Sequence, residues 1–266
     1  MIRDITLGQY FPGSSIIHKL DARVKIVSTF VYIVGLFLVN GFVGFAICAA
    51  ALGLATIFSK VPLSYILKGL KPIFIIILLT FVFNLFLTGG DPVWKWGFLV
   101  ITREGFDRAV FLVIRLLLLI IGSSLLTLTT KPINLTDGIE YLLKPLKVFK
   151  VPAHELAMMM SIALRFIPTL LEETDRIMKA QMARGADFES GNIFRRAKSL
   201  IPILVPLFIS AFRIAQDLAM AMEARCYRGG DKRTRLQPMK IKKIDALAIS
   251  CTVIFLGVII MTTVLL

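Results

Sequence analysis

Residues 109–129 read AVFLVIRLLLLIIGSSLLTLT, twenty-one positions with a single charge, Arg115. A helix that crosses the hydrocarbon core of a bilayer takes about 20 mostly apolar residues, so this run predicts a membrane span. Four further segments qualify on either side of it: Ile26 to Asn40, Phe42 to Phe58, Ile73 to Thr88 and Ala246 to Leu266. The first three are short and need interfacial flanks to complete a crossing. Composition points the same way. Hydrophobic residues make up 57% of the 266, and mean hydropathy is +0.81, whereas soluble domains average about 45–50% apolar. The first apolar run follows a stretch carrying both charge signs and has no small-residue cleavage site after it, so it is read as a retained helix rather than a signal peptide.

The three cysteines, Cys48, Cys226 and Cys251, show no CxxC spacing and no even pairing, which gives no disulfide framework. Charge is more informative. The net charge is +14, and Lys and Arg are distributed unevenly around the spans. Arg3, Lys19, Arg23 and Lys25 precede the first span, and Lys60, Lys68 and Lys71 fall between the second and third. Lys95, Arg103 and Arg108 are offset by Asp91, Glu104 and Asp107 in the next loop, where Trp94 and Trp96 are expected as interfacial anchors. The segment from Lys131 to Lys243 carries 20 Lys and Arg against 11 Asp and Glu, a net of +9. Cytoplasmic segments hold the excess of Lys and Arg. The N-terminus and residues 131–243 are therefore expected in the cytoplasm and the C-terminus outside. The expected fold is all-α and polytopic, with about five transmembrane helices and three cytoplasmic helices. Its regions are residues 1–130 with four spans, 131–243, and 244–266 with the last span.

Within 131–243, a short helix is expected from Thr136 to Phe149, kinked or ended by Pro145. A second runs from Ala153 to Arg184, with Leu156, Met159, Met160, Ala163, Leu164, Ile167, Leu170 and Leu171 forming an apolar stripe at spacings of three and four. Pro168 is expected to interrupt it. After a linker at 186–192, a third helix is expected from Ile193 to Tyr227, bent in its first half by Pro202 and Pro206.

The second and third helices end alike. Residues 177–185 read IMKAQMARG and residues 218–226 read LAMAMEARC, so that Ala180, Ala183 and Arg184 match Ala221, Ala224 and Arg225 at an offset of 41. A helix C-terminus carries unpaired carbonyls and roughly half a negative charge, and Gly185 suits the left-handed residue that ends a helix. One such copy reads as an ordinary cap. Two copies on two long basic helices point to positively charged tips that dock into acidic pockets on partner subunits, since guanidinium pairs bidentately with carboxylates.

These residues carry a family resemblance over nearly the whole chain. Leu128-Thr129-Thr130-Lys131-Pro132, Ala163-Leu164-Arg165-Phe166-Ile167-Pro168, Ala183-Arg184-Gly185 and Glu223-Ala224-Arg225-Cys226-Tyr227-Arg228-Gly229 resemble the transmembrane (T) component of energy-coupling factor (ECF) transporters. Those transporters import vitamins and transition metals into prokaryotes. The resemblance implies a CbiQ/EcfT-like coupling subunit of an ABC importer in the cell membrane, with paired Ala-Arg-Gly signatures that each contact one of two ATPase subunits. It makes Ala183, Arg184, Gly185, Ala224, Arg225, Cys226 and Arg228 the expected docking residues. It also implies an interchangeable substrate-binding (S) component as a further membrane partner. This chain has Cys226 where the family usually has Gly, and the cap is expected to be delayed to Gly229. No cofactor is expected in this chain, ATP and Mg being held by the partner ATPases.

Eight of ten methionines fall in 131–243, which fits either packing between crossing helices or an adaptable surface for several partners. On the second reading Met158, Met159, Met160 and Leu164 face the substrate-binding component. Arg115 is expected to snorkel from the outer end of its span, and Arg165 to form an interhelical ion pair. Glu172, Glu173 and Asp175 are read as a solvated or partner-facing surface. His18 and His154 have no ligand spacing, and no metal site is expected. GxxxxGK[ST], GxSxG, HExxH and GxGxxG are all missing, so the chain is not read as an enzyme. The competing reading is a membrane-anchored basic scaffold for ribosome, RNA or anionic lipid; the twin helix ends count against it, and no nucleic acid is expected as a partner.

Overall fold

The computed structural model describes residues 10–39, 41–89, 92–96, 99–149, 152–186, 188, 198–229 and 241–265. It is helical apart from one short hairpin. In chain order the helices are α1 (Ile16–Lys19), α2 (Ala22–Leu38), α3 (Phe42–Ser59), α4 (Leu63–Leu70), α5 (Phe74–Leu87), α6 (Arg103–Thr129), α7 (Pro132–Leu143), α8 (Ala153–Ala183), α9 (Ile201–Ala224) and α10 (Lys243–Leu265). Antiparallel strands β1 (Pro92–Trp96) and β2 (Leu99–Thr102) pair with a bulge between Pro92 and Trp94. The side chains of Trp94 and Trp96, expected as anchors, lie outside the described residues, as does most of the expected linker at 186–192.

Among the described residues, six helical stretches are long and apolar enough to cross a bilayer: Phe42–Ser59, Leu63–Leu87, Arg103–Thr129, Ala153–Ala183, Ile201–Ala224 and Lys243–Leu265. The third expected span begins ten residues early, because Pro72 sits in a tight turn, Lys71–Ile73, that continues α4 into α5 instead of breaking the chain. Pro168 likewise does not interrupt α8, which runs unbroken for 31 residues. Pro145 does end an α-helix: α7 stops at Leu143 and a 3₁₀ segment, Lys144–Phe149, follows. Pro202 occupies the first turn of α9, where its missing N–H costs nothing.

Two compact units divide the chain. One takes in Gly8–Ile139 and Pro238–Leu266, the other Glu140–Gln237. In the first, α6 packs against α2, α3, α4 and α5, and α10 packs against α2 and α3. Their core is a cluster of Leu36, Val39, Phe45, Cys48, Leu52, Leu118, Leu125 and Ile259. Close approach is needed at Gly122, where a Cβ would sit 2.8 Å from the Tyr32 ring. The outward side of α5 shows Phe74, Ile75, Ile76, Leu78, Leu79 and Phe83, the apolar surface that lipid requires.

Helix ends are tied together at one face of this unit. The buried Asp245 carboxylate accepts the backbone N–H of Lys242 at 2.7 Å and of Asp21 at 2.8 Å. Asp21 in turn caps α2 by accepting the Arg23 N–H at 3.0 Å. The buried Lys25 ammonium donates to the Thr129 carbonyl, at the end of α6, at 2.9 Å. The starts of α2 and α10 and the end of α6 thus share one face.

His18 is held beside this face by Ser15 Oγ at 2.7 Å and the Phe11 carbonyl at 3.0 Å. Burial lowers its pKa below the ordinary histidine value.

Candidate functional site

In the second unit α8 and α9 lie against each other, with Ile162, Phe166 and Leu170 facing Ala211, Ile214 and Leu218 across an apolar groove. The Ser210 hydroxyl donates to Glu173 Oε1 at 3.5 Å. Glu173, read from sequence as a solvated or partner-facing acid, therefore helps join the two helices, and it also pairs with Arg176 at 3.9 Å. Arg165 is exposed, and the interhelical ion pair expected of it is not seen among the described residues. His154 Nδ1 lies 3.2 Å from Glu140 Oε1, a link between the start of α8 and the end of α7.

Beyond the groove both helices continue to matching ends. In α8 the N–H of Ala186 donates to the Gln181 carbonyl at 3.0 Å, and the N–H of Gly185 to the Met182 carbonyl at 2.9 Å. In α9 the N–H of Tyr227 donates to the Met222 carbonyl at 3.0 Å, and the N–H of Cys226 to the Glu223 carbonyl at 2.8 Å. Each is a Schellman motif, with paired six-to-one and five-to-two hydrogen bonds. Arg184 and Arg225 are the C-caps, with φ/ψ of −88°/8° and −91°/13°. The nine-residue sequence repeat is therefore a geometric repeat as well.

The left-handed position that follows is Gly185 in one helix, with φ of 87°, and Cys226 in the other, with φ of 55°. The expected delay of the second cap to Gly229 does not occur. Cys226 adopts the left-handed conformation itself, although a Cβ there costs roughly 1–2 kcal/mol. Gly229 is also left-handed, with φ of 91°, but it lies outside the capping pattern.

At both ends the caps are built from backbone atoms alone. Ala183, Arg184, Gly185, Ala224, Arg225, Cys226 and Arg228 are all exposed. Neither the Arg184 nor the Arg225 guanidinium has a hydrogen bond or ion pair among the described residues. Capping thus leaves both charged forks free while fixing the direction of the chain that bears them. From the groove at Leu170 to Arg184 is about 21 Å of helix, and from Leu218 to Arg225 about 10 Å, at a rise of about 1.5 Å per residue.

The other sequence-assigned group lies near the opposite end of α8. Met159 and Met160 are 54% and 38% exposed, and Met158 and Leu164 are half-buried. Met182 and Met220 are exposed too, whereas Met178 and Met222 are half-buried. The residues missed in the sequence are Glu173 with Ser210, and the tie of Asp245 with Asp21 and Lys25. The charges of the tie stand just ahead of the apolar runs that begin at Ile26 and Ala246, a position that does not name their partners.

Comparison with known proteins places this arrangement. Residues 13–236 match the CbiQ family model, described as cobalt transport protein. A protein of Clostridium kluyveri is 61% identical over 256 residues, covering 96% of this chain and 95% of the relative. One of Thermosediminibacter oceani is 58% identical over 251 residues, 94% and 95% of the two chains. One of Bacillus subtilis is 48% identical over 244 residues, 90% and 91%. All three are named energy-coupling factor transporter transmembrane protein EcfT. A family match over most of the chain, relatives of this similarity along nearly their whole length and several lipid-ready helices together identify a multi-pass membrane component of a transporter: the chain belongs to the CbiQ/EcfT-like family of energy-coupling factor transporter transmembrane proteins.

Proposed function

We propose that this chain is the coupling subunit of an ECF-type ABC importer, passing ATP-driven motion of two ATPase subunits to a vitamin-binding membrane partner. The observation that carries the reading is the pair of Schellman-capped helix ends, each presenting an exposed arginine with no ion pair among the described residues. A cap made only of backbone atoms requires no guanidinium, so the arginines answer to a different demand. Carboxylate-lined pockets on the ATPases meet it, because the planar fork accepts two oxygens at once.

On this reading each tip seats in one ATPase, and ATP and Mg belong to those partners. Closure of the ATPase pair moves the tips, and α8 and α9 carry the movement as levers that bear on each other at Ser210–Glu173 and along the apolar groove. The substrate-binding partner contacts the Met158, Met159, Met160 and Leu164 region, roughly 36 Å along α8 from Arg184. Flexible thioether surfaces repack readily, which suits an exchangeable partner. The starts of α2 and α10 then face the cytoplasm, in keeping with the Lys and Arg distribution.

The test is co-purification from membranes with both ATPases expressed. Arg184→Ala or Arg225→Ala removes one desolvated charge partner, a loss of about 2–5 kcal/mol, and leaves the complex held by the other tip. The double variant releases the ATPases, since neither tip any longer holds them at high local concentration. Arg→Lys at both tips keeps the charge without the fork and impairs uptake while insertion stays normal. Stoichiometric ATPases and full vitamin uptake in a normally inserted double alanine variant sink the proposal.

A further inference from the structure

Arg115 stands in the middle of α6, where an uncompensated guanidinium is costly in a lipid-spanning helix. It was expected to snorkel. Instead its Nη2 donates to the Val39 carbonyl, at the C-cap of α2, at 2.6 Å, and the guanidinium lies 5.8 Å and 5.5 Å from the ring centres of Phe37 and Phe45. These contacts use only part of its capacity. Its Nε is buried and has no hydrogen-bond partner among the described residues.

Beside it is a cavity of about 250 Å³ lined by Phe45, Arg108, Phe111, Leu112 and Arg115. Both polar members are arginines and no carboxylate is among them. Arg108 and Arg115 are seven residues apart, two turns on one side of α6 and about 10 Å along its axis. Neither forms an ion pair among the described residues.

Helix lengths place the cavity near a membrane surface. Measured from the Lys25–Thr129 contact at the opposite face, Arg115 and Val39 are each 14 residues away, or about 21 Å. The hydrocarbon core is about 30 Å thick, so the α2–α3 turn lies below the headgroups and leaves a depression above it. Arg108 marks the polar rim, Arg115 the floor, and Phe45, Phe111 and Leu112 an apolar wall.

We propose that this cavity binds an anionic phospholipid of the leaflet at the α2–α3 turn, with its phosphate between Arg108 and Arg115. Two guanidinium groups with no carboxylate among them recognise a phosphodiester, whose two non-bridging oxygens they share. The apolar wall suits the glycerol and upper acyl chain. A zwitterionic headgroup brings a choline cation to the same two arginines and binds less well.

The full-length chain is purified in mild detergent and titrated with phosphatidylglycerol or phosphatidylcholine, and bound lipid is read by native mass spectrometry. The wild type retains one phosphatidylglycerol at least tenfold more strongly than phosphatidylcholine. Arg108→Gln, at an exposed position, lowers that retention several-fold, and Arg108→Gln with Arg115→Gln lowers it at least tenfold. Leu112→Trp keeps both arginines but fills the cavity, and also lowers it, which covers the case of a double variant that does not insert. Lys68→Gln, on the exposed side of α4, leaves retention unchanged, and an excess of inorganic phosphate does not displace the lipid. Equal retention of the two lipids, unchanged retention in both Arg108→Gln and Leu112→Trp, an equal loss in Lys68→Gln, or displacement by free phosphate overturns the proposal.

Discussion

The Asp245 carboxylate accepts the backbone N–H of Asp21 at 2.8 Å across 224 residues of chain. Its second oxygen accepts the N–H of Lys242 at 2.7 Å, the reach-back of a capping box. One carboxylate therefore satisfies orphan donors at the starts of α2 and α10, two helices that are far apart in sequence. Asp245→Ala leaves both N–H groups bare, at about 1–3 kcal/mol each, and lowers the melting temperature in mild detergent. Asp245→Asn keeps one acceptor oxygen and falls between. A melting temperature unchanged in the alanine variant contradicts the assigned role.

Cys226 holds a left-handed conformation, with φ of 55°, where its counterpart is Gly185. Cys226→Gly removes the Cβ conflict and is expected to leave ATPase assembly intact, with stability unchanged or raised by up to about 1 kcal/mol after the entropy of the unfolded glycine is counted. Cys226→Val puts a branched side chain there, unwinds the cap and weakens docking of that tip alone. Equal assembly by the valine variant contradicts a fixed tip.

The same cysteine is a native reporter. Cys226 is exposed and Cys48 is buried, while the exposed Cys251 lies within the apolar α10. A membrane-impermeant maleimide is expected to label Cys226 in the isolated chain and to be blocked once both ATPases are bound. Labelling that proceeds at the same rate in the assembled complex removes this tip from the interface.

Orientation has its own test. Tags at the N-terminus and near Asn192 are expected in the cytoplasm, and a tag after Leu266 outside. The motive is the charge asymmetry together with the shared face of α2, α6 and α10. A tag at Asn192 accessible from outside the cell reverses the orientation and with it the coupling role.

Much of this fold was legible because lipid imposes long apolar runs, and those runs are visible at Ala109 to Thr129 whatever they pack against. Prolines were the weaker guide. Pro145 ended its helix, but Pro168 and Pro72 were absorbed, and nothing local to those residues distinguishes the cases. The tips were legible as a nine-residue repeat, whereas the Cys226 cap was misplaced because sequence preference favours glycine at a left-handed position without forbidding cysteine. The Asp245–Asp21 contact was hidden for a different reason: its partner is a backbone N–H, which leaves no trace in side-chain identity.

Lys25 and Arg115 make a reciprocal pair of rivets. Each cation sits on one helix of the antiparallel pair α2 and α6 and grips the carbonyl that ends or caps the other, Thr129 for Lys25 and Val39 for Arg115. The spacing is 14 residues on both strands of the pair, 25 to 39 and 115 to 129. A slip of one residue along either helix breaks both rivets at once, and each broken one leaves a charge stranded in a dry place. Sliding is therefore the forbidden motion for these two helices. A push delivered to this part of the protein meets a strut of fixed gauge, and it is spent on tilting the pair as a body rather than on shearing it.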